Sequence, residues 1–90
     1  MISRNLILIL SGFSRSEFLK FDDFVNSPYF NKEPRVKLLW SSLKEYYPDY
    51  SKATKEEIFG KIYPGKEFVE SRIRNLCSDL NLLAEKFLMT

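Results

Sequence analysis

The chain contains no histidine, a single cysteine and only three glycines, which stand apart at positions 12, 60 and 65. Without histidine, the usual zinc ligand sets and the ordinary Ser-His nucleophile pair cannot be assembled. Cys77 alone cannot close an intrachain disulfide, which suits a reducing cytosol. Scattered glycines form no Gly-rich loop to cradle a phosphate. An excess of one charge is also missing. The 14 basic and 12 acidic residues leave +2, too little by itself to indicate a nucleic acid or a membrane. The apolar run Leu6 to Leu10 is too short to span a bilayer. It follows Arg4 as a secretory signal might, but it is shorter than such a signal's apolar region, and "SGFSRSEF" behind it offers no small-x-small cleavage site. These absences predict a cytoplasmic chain with no catalysis, no cofactor, no metal and no membrane contact.

What the chain does have is large apolar side chains and punctuation. Ninety residues fit one domain, 1–90, and a chain of that size buries only about 60–65% of its unfolded surface, so its core must be dense in large groups. Eight Phe, one Trp and many Leu and Ile supply them. Each contributes roughly 1.5–3 kcal/mol when fully buried. Start and stop signals then divide the sequence into helices. The first is apolar and stops at Gly12. Ser14 stands three residues before Glu17, the capping-box spacing, and Phe18, Phe21 and Val25 follow at helical intervals, predicting a second helix over 15–26. Pro28 stops it.

Asn31 is placed to cap a third helix with Pro34 in its first turn and Val36, Leu39, Trp40, Leu43 and Tyr47 as its inner stripe, closed by Pro48. After a polar loop at 49–53, Thr54 and Glu57 repeat the capping-box spacing ahead of Ile58, Phe59 and Ile62. Pro64-Gly65 breaks this fourth helix. A fifth is predicted from near Phe68 to about Leu88, its seam formed by Val69, Ile73, Leu76, Leu80, Leu83 and Phe87, with small Cys77 and Ala84 beside it. The fold class is therefore all-α, a compact bundle of about five helices with a long C-terminal one.

All five tyrosines lie within two residues of a proline, in "NSPYFN", "EYYPDY" and "KIYPGKEF". The expected role is that of joints, where flat amphipathic rings cover helix ends and keep their hydroxyls for backbone or water. A stacking platform for nucleobases would need a continuous basic groove, and Glu33, Glu45, Asp49 and Glu67 interrupt the lysines here. Asp22-Asp23 cannot converge on one metal ion, because helix neighbours point about 100° apart, so both are expected on a solvated helix surface.

Two surfaces are candidate sites. Leu82, Leu88 and Met89 fall off the seam of the last helix and should form an apolar patch for a protein partner, a second copy or a downstream helical segment. The alternative is a DNA- or RNA-binding turn between the fourth and fifth helices, using Lys61, Lys66, Arg72 and Arg74. There, Glu70 and Arg74 have the spacing of an ordinary i, i+4 pair.

The series Glu17-Phe18, Ser27-Pro28-Tyr29-Phe30-Asn31, Tyr47-Pro48, Lys55, Phe59, Tyr63-Pro64, Arg74, Ser78, Leu80 and Phe87 resembles the N-terminal head region of a set of long, helix-rich, uncharacterised bacterial proteins. The resemblance covers most of 14–88, with Ile73 where that pattern more often has Leu. It implies a helical head module followed by further helices, and no particular reaction.

Overall fold

A computed structural model describes residues 2–89. Among them are five α-helices and no strand: α1 (Arg4–Ser11), α2 (Arg15–Asn26), α3 (Pro34–Leu43), α4 (Lys55–Ile62) and α5 (Glu70–Leu88). Two short 3₁₀ turns, Lys44–Tyr46 and Tyr50–Lys52, connect α3 to α4. No helix among the described residues is long and apolar enough to cross a membrane.

Local chemistry accounts for most of the boundaries. The Ser3 hydroxyl accepts the Leu6 N–H and opens α1, and Gly12 follows its last turn in a right-handed rather than left-handed conformation, φ −79°. At α2 both capping-box bonds form: the Ser14 N–H donates to Glu17 Oε1 at 2.8 Å, and the Glu17 N–H donates to Ser14 Oγ at 3.1 Å. Thr54 caps α4 through the Glu57 N–H at 3.2 Å, but Glu57 does not return the bond. Its carboxylate instead accepts the Tyr46 hydroxyl at 2.7 Å. This second box is half formed because a tertiary partner outcompetes the local one.

Asn31 does not cap α3. The cap position is Glu33, with Pro34 in the first turn, and Asn31 lies buried before it. Its amide donates to the Val25 carbonyl at 3.0 Å, and its Oδ1 accepts the Glu33 N–H at 3.1 Å. One side chain therefore ties the end of α2 to the start of α3, and the "NSPYFN" segment is a joint. α5 begins at Glu70, two residues later than the sequence suggests, leaving Phe68 and Val69 exposed.

The core forms around α3, which packs on α2, α4 and α5, while α1 closes onto α5. Val36, Leu39, Trp40 and Leu43 are buried on the predicted inner face of α3. The Phe21 ring meets Phe13, Trp40 and Phe87 edge-on, with centroids 5.2, 4.9 and 5.3 Å away. Such pairs add to the area they bury. Cys77 and Ala84, expected beside the seam of α5, are themselves buried core positions. The loop at 49–53 holds a residue the sequence reading passes over: Tyr50 is 1% exposed.

Candidate functional site

α5 carries the exposed apolar candidates because its helix runs without Gly or Pro and a single face of it meets the core. Ile73, Leu76, Cys77, Leu80 and Ala84 are buried on that face, with Leu83 and Phe87 packed partly against it. At about 3.6 residues per turn, Leu82 and Met89 fall on one line of the helix, on the side away from Ile73 and Leu80. Their exposures are 59% and 87%. Leu88, 50% exposed, lies roughly 120° round from Leu82, at the edge of the seam. On the other side of this end, Phe24, Phe30 and Phe87 line an open cleft of about 480 Å³ bordered by Lys20 and Asp23. Phe30 stacks on Phe24 at 4.5 Å, and Tyr29 projects from the same turn, 83% exposed.

The four cations of the alternative site do not gather on one surface. Lys61 forms an ion pair with Glu45 at 3.2 Å and lies over the Tyr46 ring. Arg74 borders a small cavity of about 200 Å³ with Ser3, Lys55, Ile73 and Cys77. Its expected partner Glu70 pairs instead with Lys55 of α4, at 2.7 Å. The Lys55 ammonium of a neighbouring helix comes closer to Glu70 than the Arg74 guanidinium of its own helix. The bond from Lys55, aided by its charge, holds the Glu70 carboxyl below the ordinary carboxylate value.

Lys66 and Arg72 do share a site, a cleft of about 440 Å³ that they line with Arg35, Phe59, Tyr63, Glu67 and Val69. The guanidinium carbons of Arg35 and Arg72 lie 5.0 and 5.6 Å from the centre of the Tyr63 ring, within cation–π range. Arg35, Tyr63 and Arg72 also line an adjoining cleft of about 280 Å³ with Glu33, Asn75 and Leu76. Sequence reasoning missed Arg35, which enters from the first turn of α3. The available signal was a cation beside Pro34, one turn before Leu39 and therefore at the flank of the Val36 and Leu39 stripe.

The two adjacent aspartates part company. Asp23 is exposed as expected, but Asp22 is not a solvated surface group. Its Oδ1 accepts the Trp40 indole N–H at 2.7 Å, Lys44 Nζ at 3.0 Å and the Asn26 amide at 3.2 Å. Partial burial opposes its ionisation, yet the bonds from Trp40, Lys44 and Asn26 outweigh that and hold its carboxyl below the ordinary value. Asp22 therefore fastens α2 to α3. Burial pushes the Cys77 thiol up, the direction of an inert core cysteine rather than a nucleophile.

Comparison of the chain with protein-family models, with curated proteins and with solved structures returns no match.

Proposed function

We propose that this chain is a non-catalytic interaction module of the cytoplasm that receives a helix of another protein along the outer end of α5, through Leu82, Leu88 and Met89. The observation that carries the reading is the exposure of all three on a helix whose opposite face is fully engaged. Leu82 and Met89 are seven residues apart, two helical turns, the spacing with which helices meet along a seam. Two turns of helix offer far less than the roughly 800 Å² per partner of a standard stable interface. The contact is accordingly a weak one with a partner helix rather than a permanent dimer. A nucleic-acid reading is less favoured, because Lys61 is engaged by Glu45 and Arg74 borders a separate cavity.

The test compares the chain with a Leu82→Asp/Met89→Asp variant. Light scattering over a dilution series should find both monomeric, and thermal unfolding should fall by only several degrees, because both sites face solvent and the aspartates cost only helix propensity and an unfavourable charge at the helix end. Crosslinking in cells followed by mass spectrometry should then identify a partner peptide attached at α5 that the variant loses. Retention of every crosslinked partner by the variant would sink the reading. A dimer that survives high salt and is lost in the variant would replace it with self-association.

A further inference from the structure

The cleft around Tyr63 gathers arginine side chains whose only partner among the described residues is an aromatic ring. Arg35 and Arg72 approach the same ring, so their charges are held no farther apart than the sum of 5.0 and 5.6 Å. Lys66 adds a third cation to the lining. Among the described residues none of the three has a carboxylate within ion-pair distance, whereas Lys44, Lys55 and Lys61 all do. All three are exposed, so water and salt screen their mutual repulsion and leave them free to meet an anion. The amino ends of α3 and α5 border the two adjoining clefts, through Glu33 and Arg35 and through Val69 and Arg72. These are also the two α-helices whose cap residue makes no side-chain hydrogen bond, in contrast to Ser3, Ser14 and Thr54 at the others. Guanidinium forks bind phosphoryl oxygens, and the helix ends add less, because Pro34 has no N–H and the Arg72 N–H already donates to the Val69 carbonyl at 3.2 Å.

We propose that Arg35, Lys66 and Arg72 hold the phosphoryl group of a small phosphate monoester, whose organic part lies against Tyr63, Phe59 and Val69. Charge selects a compact ligand. Three cations against the single carboxylate of Glu67 in the larger cleft match one dianion, and Glu33 in the adjoining cleft repels any longer polyanion. Half-buried Tyr63, backed by the buried Phe59 ring 4.8 Å away, and exposed Val69 give the organic part an apolar wall. The site is separate from the outer end of α5 and does not depend on the function proposed there.

The experiment is a ¹H–¹⁵N NMR titration of the 90-residue chain with phenyl phosphate, adenosine 5′-monophosphate and inorganic phosphate, at a fixed ionic strength of about 0.15 M. Saturable shifts are expected for the backbone amides of Tyr63 and Arg72 and the side-chain N–H signals of Arg35 and Arg72. Arg35→Gln and Arg72→Gln should each weaken binding at least tenfold. Lys86→Gln, which removes an exposed cation elsewhere on α5, should leave it unchanged. If an arginine variant loses its fold by circular dichroism, Lys66→Gln, on an exposed turn, serves in its place with the same expected loss. Tighter binding of the nucleotide than of phenyl phosphate would identify a nucleotide as the ligand, and the reverse a phenolic phosphate such as a phosphotyrosine side chain; either supports the site. Shifts that do not saturate, or that persist when Arg35 and Arg72 are both replaced, overturn the proposal. So does inorganic phosphate binding as tightly as both esters, or a single-stranded oligonucleotide binding more tightly than either.

Discussion

Replacing Asp22 by alanine removes the acceptor of the Trp40 indole N–H, now bonded at 2.7 Å. Trp40 is buried at 0% exposure with Asp22 in place, so the stranded donor faces only the space the carboxylate vacates. Leaving such a group unpaired costs about 1–3 kcal/mol. The ion pair with Lys44 has side chains 36% and 29% exposed, and pairs that water can screen contribute about 1 kcal/mol at most. The expected loss is therefore ~2–3 kcal/mol, from a total of roughly 5–13 kcal/mol for a domain of this size. It corresponds to a fall in Tm of roughly 10–20 °C.

Asp22→Asn separates the two contributions, because its amide oxygen still accepts from Trp40 while the charge is gone. It should cost ~1 kcal/mol or less. The carboxyl of Asp22 is held below its ordinary value in the folded chain. Its contribution is thus complete above the unfolded-state pKa of about 3.9 and is lost as pH falls through the lower folded value. The asparagine variant should show a flatter loss of stability on the acid side. Urea unfolding followed by fluorescence reports both effects, since Trp40 is the only tryptophan. Alanine and asparagine variants of equal stability would refute the reasoning, because the indole bond would then contribute nothing.

Tyr50 should make the fold sensitive to alkali. Burial, reinforced by the nearby Tyr47, pushes its phenol up to about 12, so between the ordinary value near 10 and that value the unfolded chain has released a proton the folded chain retains, and stability falls as pH rises. Tyr50→Phe should reduce that decline in urea midpoints measured at about pH 9 and about pH 11, and an unchanged decline would assign it elsewhere. The glycines of α4 and the following turn should respond with opposite signs. A Cβ at Gly60 meets no atom within 4 Å, so Gly60→Ala should stabilise by about 0.5–1 kcal/mol by chemical denaturation. Gly65 sits at φ +76°, and Gly65→Ala should cost ~1–2 kcal/mol in the same assay.

The helices were legible where their signals are local. Ser14 and Glu17 stand three residues apart and bond only each other's backbone, and Pro34 needs no partner to open a helix, so sequence spacing suffices at both places. Thr54 and Glu57 show the same spacing, yet Tyr46 diverts the carboxylate, and no pattern near Glu57 foretells a phenol from a preceding turn. Tyr50 was hidden for a related reason. Among Asp49, Ser51 and Lys52 it lacks the apolar neighbours that mark a core element, and only the folding back of its 3₁₀ turn buries it. Of the candidate sites, Leu82, Leu88 and Met89 could be read off because exposure on a regular helix follows from periodicity. The Arg35 and Arg72 pair could not, since α3 and α5 bring those residues to Tyr63 through tertiary packing alone.

The Phe13, Phe21, Phe24 and Phe87 rings join the earliest part of the chain to its last helix. A ribosome delivers the first three long before the fourth. While Phe87 is missing, the packing of α3 on α2 and α4 can already form, but the faces of α1, α2 and α3 that α5 covers stay open to water. The last helix thus closes a core whose other parts are available earlier, and the apolar surface it covers is what a chain lacking it would expose to aggregation.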